Sequence, residues 1–127
     1  MKTIAFYFAL LFLSFNTITA QRSANTLSPA EFKLRCARMH GIMLDVRTPE
    51  EFLTSTIPGA ININVMNPDY FTVHIKKLDR NKTYFLFCGT GMRSSEAMEE
   101  MKKAGFLKVY ELDGGLTAWE KYDLPLD

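Results

Sequence analysis

The chain has 127 residues, of which 47% are hydrophobic and 23% are charged, so it is long enough for one domain with a substantial core. The formal net charge is only +1. This balance gives no reason to expect nucleic acid or an anionic membrane surface as a partner, because both attract strongly basic proteins.

The first twenty residues have the pattern of a secretory signal peptide. One positive charge, Lys2, precedes an apolar run from Ile4 to Phe15, and small and polar residues then end at Ala20. The apolar run has 12 residues, whereas an uncleaved membrane anchor needs roughly 20. We therefore expect cleavage after Ala20 and an exported protein, periplasmic in a Gram-negative bacterium and otherwise secreted. The mature chain, residues 21–127, is expected to form one domain without stable membrane association.

Three helix starts follow in the mature chain. Each joins a side chain that can cap a helix N-terminus to a proline at the first helical position: Ser28–Pro29, Thr48–Pro49 and Asn67–Pro68. A later helix is expected to begin at Ser94 or Ser95 and to stop at Gly105. A last short helix follows the turn formed by residues 113–115.

Apolar runs alternate with these helices and predict strands. The clearest runs are Ile42–Val46, Ile61–Ile63, Tyr84–Phe87 and the segment that ends at Leu112. Alternating strands and helices favour an α/β fold, with a parallel sheet covered by helices on both faces. In such sheets the reactive groups lie in loops beyond the carboxyl ends of the strands.

Cys88 stands at such a strand end, and its surroundings suggest more than packing. The loop behind it contains two glycines, Gly89 and Gly91, whose backbone can curl with its N–H groups inward as an anion-binding nest. The helix that follows points its positive end at the same place, and Arg93 adds a full charge. Together these groups would favour the thiolate, which is the nucleophilic form of cysteine. The alternative is that Cys88 is only the buried last residue of a strand.

The same residues resemble a known family. The motifs "DVRTPEEF", "IPGAINI", "FCGTGMRSSEAMEEMKKAGF" and "LDGGLTAWE" are similar, in this order, to those of single-domain rhodaneses, which are sulfurtransferases. The resemblance runs from about Leu27 to Pro125, nearly all of the mature chain. It implies a five-stranded parallel sheet with a further strand near Asn25–Leu27. The family often has Gly-His before the Ile-Pro-Gly-Ala turn, where this chain has Ser55 and Thr56.

The resemblance also implies a mechanism. Cys88 would attack a sulfane sulfur, become a persulfide, and pass that sulfur to cyanide or a thiol acceptor. The loop amides would hold the persulfide; the loop residues are Gly89, Thr90, Gly91, Met92 and Arg93. The donor would be a small anion, and neither a metal nor an organic cofactor would be needed.

The length of the loop bears on the reaction. Four residues separate Cys88 from Arg93, one fewer than in the related phosphatases, whose larger loop holds a tetrahedral phosphate. The sequence therefore favours sulfur transfer over phosphate hydrolysis. The choice of donor is less constrained, because Gly89 and Thr90 stand where thiosulfate-using loops often carry cations. Thiosulfate is favoured over mercaptopyruvate, because Arg93 does not fit the loop of mercaptopyruvate-using members.

Two further residues flank the site in the family pattern. Asp45 is expected to brace a loop by accepting backbone N–H groups or by pairing with an arginine. Arg47 either reaches the rim of the site and steers anions, or pairs with Glu50 or Glu51. Glu51 itself is assigned to the cap of the helix that begins at Pro49, rather than to catalysis.

The role of the second cysteine, Cys36, and an alternative function for the Cys88 loop are two further points. On the apolar face of the first helix it is interpreted as a buried thiol, and no disulfide with Cys88 is expected. If the chain is not a sulfurtransferase, the same loop would make it a non-catalytic module that binds anions or senses oxidants through Cys88.

Overall fold

A computed structural model describes residues 23–122 and 124–127, and in this part of the chain strands and helices alternate as predicted. The strands are β1 (Thr26–Leu27), β2 (Ile42–Asp45), β3 (Ile61–Asn62), β4 (Tyr84–Phe87) and β5 (Val109–Leu112). The helices are α1 (Pro29–Arg38), α2 (Pro49–Thr54), α3 (Pro68–Ile75), α4 (Met92–Lys103) and α5 (Gly115–Lys121). The predicted signal peptide lies outside the described residues and stays a prediction.

The three proline-containing helix starts are confirmed. Ser28, Thr48 and Asn67 each cap a helix, and each side chain accepts the N–H of the third helical residue. The proline at the first helical position loses nothing there, because that N–H has no partner within the helix. Local sequence is therefore sufficient to start α1, α2 and α3.

The five described strands form one parallel sheet in the order β1-β5-β4-β2-β3. β4 occupies the centre, between β2 and β5, and all four strand pairings of the sheet are parallel. The register pairs Asp45 with Phe87, and Leu86 with Glu111. Parallel strands end at one edge of the sheet, so Cys88 leaves β4 between the end of β2 and the end of β5.

Helices cover both faces of the sheet, as the α/β prediction requires. On one face α3 and α4 bury apolar residues, among them Phe71, Ile75, Met98 and Met101. On the other face α1 and α5 bury Phe32, Cys36, Leu116 and Trp119. All four residues of β4 are buried, which matches its unbroken apolar sequence. Among the described residues, no helix is long and apolar enough to cross a membrane.

Candidate functional site

The loop after β4 is shorter than the sequence suggested. α4 begins at Met92, with Gly91 as its N-cap, and not at Ser94 or Ser95. Gly91 has a φ of 109°, a conformation that favours glycine, and this turns the chain directly into the helix. Met92 and Arg93 therefore belong to the first turn of α4, which leaves residues 88–91 as the loop itself.

The loop directs one backbone amide at the sulfur. The Gly91 N–H donates a hydrogen bond to Cys88 Sγ at 3.0 Å. On its other side, Sγ donates to the Ser94 hydroxyl at 3.6 Å. The sequence predicted a nest of several inward N–H groups, whereas the hydrogen bonds of the described residues include one amide contact to Sγ, from Gly91.

The start of α5 holds the loop carbonyls on the opposite side. The N–H of Leu116 donates to the Cys88 carbonyl at 2.8 Å, and the N–H of Thr117 donates to the Gly89 carbonyl at 3.1 Å. A Cβ on Gly115 would stand 2.5 Å from the Cys88 carbonyl oxygen, so only glycine permits this approach. The two carbonyls, which would repel an anion, are therefore occupied by α5. Sequence reasoning treated residues 113–115 only as a turn, although the glycine pair was a signal of close backbone approach.

The sulfur itself is not at the surface. Cys88 is fully buried, at 0% exposure, whereas the sequence suggested a reachable thiol at the mouth of the loop. The residue packs in the apolar cluster beneath α4, with Leu86 and Ala97 among its members. Cys88 is thus a buried residue directly after β4 whose sulfur accepts an amide hydrogen bond, and its role as a nucleophile stays a prediction.

Arg93 lies at the rim, as predicted, but it is already paired. Its Nη1 donates to Glu51 Oε1 at 2.6 Å and its Nη2 to Glu51 Oε2 at 3.0 Å. Arg93 Nη2 also lies 3.3 Å from where a Cβ on Gly89 would stand, so a side chain at Gly89 would crowd the guanidinium. The side chains of Arg93 and Glu51 are 27% and 38% exposed, so solvent reaches the pair.

Glu51 has two roles, of which sequence reasoning found only one. Its N–H donates to the Thr48 hydroxyl at 3.3 Å, and that hydroxyl donates back to Oε1 at 3.2 Å, as expected for a cap. The hydrogen bond from Arg93 is the main reason that the pKa of Glu51 is lowered to about 2. The same hydrogen bond, with a smaller contribution from the charge of Glu51, raises the pKa of Arg93 above its usual range.

Asp45 accepts a backbone N–H group and pairs with an arginine, as expected, and its carboxylate fixes the position of the Arg47 side chain. Asp45 is fully buried and accepts from the Arg47 backbone N–H at 3.0 Å, from its Nε at 3.0 Å and from its Nη2 at 2.7 Å. The Thr56 hydroxyl donates to the same carboxylate at 2.9 Å, and Arg47 Nη2 also donates to the Ser55 carbonyl at 2.6 Å. Arg47 Nη1 stays 3.9 Å from Glu51. Arg47 therefore pairs mainly with Asp45, a partner the prediction for Arg47 did not name.

A buried carboxylate on β5 completes the site, and sequence reasoning missed it. Glu111 accepts from the Ser95 hydroxyl at 2.8 Å and from the Ser94 hydroxyl at 3.2 Å, so it is joined through Ser94 to Cys88. The only signal in the sequence was a glutamate within an otherwise apolar strand. Among the described residues, no group of three or more histidine, cysteine or acidic side chains could hold a metal ion.

The two cysteines lie on different faces of the sheet. Cys36 is a free, buried thiol on α1 that donates to the Gly41 carbonyl at 3.6 Å. Burial raises the pKa of Cys36. Cys88 is also free, and it belongs to the cluster on the α3 and α4 side. Cys36 is thus the buried thiol that the sequence suggested.

The fold and the site define a class of protein, namely a parallel α/β domain with a cysteine loop after its central strand. A family model identifies the family. The model for the rhodanese-like domain matches residues 28–122. The chain belongs to the rhodanese-like domain family, which confirms the resemblance and the five-stranded fold that it implied.

Similar proteins carry different names. The chain is 36% identical over 91 residues to thiosulfate sulfurtransferase 16, chloroplastic, of Arabidopsis thaliana, covering 65% of this chain and 76% of that protein. It is 30% identical over 97 residues to the tRNA uridine(34) hydroxylase of Pelagibacter ubique, covering 76% of this chain but only 32% of the hydroxylase. The crystal structure of a rhodanese-related protein from Thermoplasma volcanium superposes with a TM-score of 0.70 at 27% identity, covering 81% of this chain and 97% of that one.

Proposed function

We propose that this protein is a rhodanese-type sulfurtransferase in which Cys88 carries a sulfane sulfur as a persulfide. The observation that carries the proposal is the Gly91 N–H that donates to Cys88 Sγ at 3.0 Å, in a loop whose carbonyls are held by α5. An N–H donor at this position stabilises negative charge on sulfur. The name of the Arabidopsis relative, thiosulfate sulfurtransferase, points to the same chemistry.

The reaction takes place in two displacement steps. In the first, the Cys88 thiolate, having lost its proton to solvent, attacks the outer sulfur of a donor such as thiosulfate. A bond forms between Sγ and that sulfur, the S–S bond of the donor breaks, and sulfite leaves with the electron pair. In the second, cyanide or a thiolate attacks the outer sulfur of the persulfide. The Cys88 thiolate is released, and the product is thiocyanate or a new persulfide, so that no cofactor is consumed.

In this proposal the guanidinium of Arg93 binds the anionic donor. In the resting protein its guanidinium is neutralised by Glu51, with contacts of 2.6 and 3.0 Å. Because this pair is partly exposed, a dianion such as thiosulfate can compete with Glu51 for the guanidinium. Exchange of partners by Arg93, which lies beside Gly89, would also open a way to the buried sulfur. Thiosulfate is the donor we favour, because Arg93 does not fit the loop of mercaptopyruvate-using members and the Arabidopsis relative is named a thiosulfate sulfurtransferase.

The test is a direct measurement of sulfur on Cys88. The protein is treated with thiosulfate or with mercaptopyruvate, and the mass of the peptide that contains Cys88 is compared before and after addition of cyanide. We expect one added sulfur with thiosulfate, its loss with cyanide, and formation of thiocyanate. Cys88→Ser should lose turnover by a thousandfold or more, on the order of other nucleophile deletions. Cys36→Ser is the matched control and should keep it. Absence of added sulfur from both donors, together with absence of thiocyanate, contradicts the proposal.

A second candidate is a non-catalytic module that binds anions or responds to oxidants. The full burial of Cys88 favours the absence of turnover in this alternative, since the resting structure keeps the sulfur away from a donor. It predicts that sulfite and thiosulfate bind equally well to the wild type and to Cys88→Ser, and that the wild type shows no turnover. Calorimetric titration of both variants, beside the thiocyanate assay, separates the two functions.

A further inference from the structure

Glu111 is a buried carboxylate that the sulfur-transfer steps do not use. It is only 6% exposed. Its described hydrogen bonds all come from hydroxyl groups: Thr26 at 2.9 Å, Ser95 at 2.8 and 3.0 Å, and Ser94 at 3.2 Å. Among the described ion pairs none involves Glu111. A buried acidic group held by hydroxyls and without a cation is uncommon, because burial of a charge is costly.

Ser94 places this carboxylate next to the sulfur. The Ser94 Oγ lies 3.2 Å from Glu111 Oε2, 3.1 Å from the Gly91 carbonyl oxygen and 3.6 Å from Cys88 Sγ. Ser94 itself is fully buried, so water does not replace any of these partners. Cys88 and Glu111 are therefore separated by a single hydroxyl group.

Counting protons around Ser94 sets the direction of its hydrogen bonds. A serine hydroxyl has one proton to donate, and both a carboxylate and a carbonyl can only accept. While Glu111 is ionised, the Ser94 proton therefore goes to Glu111 Oε2 or to the Gly91 carbonyl. The oxygen then faces Cys88 with a lone pair, and the sulfur must supply the proton for the remaining contact. A thiolate would need the opposite arrangement, in which Ser94 donates to sulfur and abandons both acceptors.

We infer that Glu111 is a positioning residue that holds the Ser94 hydroxyl away from Cys88 and so keeps the resting sulfur as a thiol. The inference rests on the same cysteine as the proposed function, and it adds a control on when that cysteine reacts. In the persulfide the negative charge lies on the outer sulfur, which is one bond removed from the Sγ atom that contacts Ser94. Glu111 therefore disfavours the free thiolate more than the loaded persulfide, and it limits unproductive reactions of the empty site.

The charged side chains of Arg93, Glu51, Asp45 and Arg47 near the loop are held in two ion pairs. Arg93, on α4, carries its positive charge in an ion pair with Glu51. Asp45 at the end of β2 is buried and paired with Arg47, and Glu51 on α2 is paired with Arg93. From α5 the backbone amides of Leu116 and Thr117 bind the carbonyls of Cys88 and Gly89, and Asp113 lies in the turn before that helix. Substitution of Glu111 alone leaves all of these charges in place.

The test is the pH profile of Cys88 alkylation, which does not depend on sulfur transfer. The full-length protein reacts with iodoacetamide, and the peptide that contains Cys88 is quantified by mass spectrometry in the wild type and in Glu111→Gln. Glutamine is close in size, and its amide N–H can donate to Ser94, which frees the serine proton for sulfur. We expect the midpoint of the profile to fall by about one pH unit, since a like charge is removed across one hydroxyl group. Below the midpoint the rate should rise about threefold, because the gain in thiolate is offset by its lower nucleophilicity.

Glu99→Gln is the matched control, because it removes the same charge from an exposed position on α4. It should leave the midpoint unchanged. An unchanged or higher midpoint in folded Glu111→Gln overturns the inference. If sulfur transfer fails in the wild type while the midpoint still moves, the proposed function is wrong and the role of Glu111 stands.

A second measurement needs only the wild type and a cysteine variant, in case Glu111→Gln does not fold. Infrared spectroscopy near neutral pH should show an S–H stretching band that is missing from Cys88→Ala, because the sulfur donates its proton to Ser94. The remaining band belongs to Cys36, whose thiol donates to the Gly41 carbonyl. If the two spectra have the same S–H bands, Cys88 is already a thiolate and the inference is wrong.

Discussion

Two arginine–carboxylate pairs lie close to the same loop, and they differ in how freely they can exchange partners. Arg47 is 6% exposed and is held by a carboxylate two residues away, Asp45, which is itself fully buried. Arg93 is held by Glu51, 42 residues away in sequence, and solvent reaches both of these side chains. Both pairs have short contacts, of 2.7 and 2.6 Å.

The comparison shows that contact distance does not reveal which pair is functional. Asp45 has no route to solvent and also binds the Thr56 hydroxyl, so the Arg47 pair ties the end of β2 to the segment after α2. Breaking that pair would leave a buried charge without a partner. The Arg93 pair can exchange one anion for another at little cost, because water screens it. The first pair therefore contributes to stability, and the second is suited to an anionic ligand.

The largest effect is expected from Asp45→Ala. It leaves the buried Arg47 guanidinium without its carboxylate, which should lower the free energy of unfolding by about 3–5 kcal/mol. Urea denaturation followed by circular dichroism measures the loss. In the double variant Asp45→Ala/Arg47→Met no charge stays unpaired, so its loss should be clearly smaller than the sum of the two single losses. Additive losses would mean that the pair is not coupled.

Arg93→Ala should have the opposite effect to Asp45→Ala: little change in stability and a large loss of activity. We expect the free energy of unfolding to change by less than about 1 kcal/mol, because the pair is partly exposed. The kcat/KM for thiosulfate should fall by about a hundredfold, as is typical when a donor to developing negative charge is removed. Arg93→Lys keeps the charge without the two-pronged geometry, and it should recover part of the activity. A large loss of stability in Arg93→Ala would remove the distinction between the two pairs.

Part of this site follows from local sequence. The proline-containing starts of α1, α2 and α3, the central apolar strand β4 and the position of Cys88 at its end all depend on residues that are neighbours in the chain. The brace formed by Asp45 and Arg47 also spans only two residues. Such features are predictable because capping, turn and strand preferences act over short distances.

The contacts that set the chemistry of the sulfur are long-range, and local sequence does not specify them. Glu51 meets Arg93 and Glu111 meets Ser94 because β4 lies between β2 and β5 in the sheet. The amides of α5 reach the Cys88 carbonyl for the same reason. Even the burial of the sulfur depends on how α4 packs on the sheet. These features require the order of the strands, which motifs do not supply.

Glu51→Gln tests whether the rim pair competes with the donor. Glutamine keeps the cap, because the Glu51 N–H still reaches the Thr48 hydroxyl. It releases Arg93 from a charged partner, so the KM for thiosulfate should fall and kcat/KM should rise by up to about fivefold, the range expected for an exposed ion pair. Glu50→Gln is the matched control. It makes the same charge change at the preceding residue, which is exposed, and it should have little effect. A fall in kcat/KM for Glu51→Gln alone would indicate that Glu51 orients Arg93 for the donor instead of competing with it.

The smallest expected effect is a loss of unfolding free energy at acidic pH. The pKa of Glu51 is lowered to about 2, chiefly by the hydrogen bond from Arg93. A carboxyl group whose pKa is lower in the folded state binds a proton more readily when unfolded, so acid favours unfolding. The stability that Glu51 contributes is therefore complete above its unfolded pKa of about 4.3 and is lost as the pH falls towards 2. Because the pair is exposed, the contribution should be below about 1 kcal/mol.

The difference in unfolding free energy between the wild type and Glu51→Gln isolates this contribution, since the other carboxylates titrate in both proteins. Urea titrations at about pH 6 and about pH 3 should show the wild-type advantage shrinking with acid. Both proteins keep the cap at Thr48, so an advantage of Glu51 that does not change with pH would mean that it does not come from the charge that pairs with Arg93, and the rim pair would then be free to open at almost no cost to the fold.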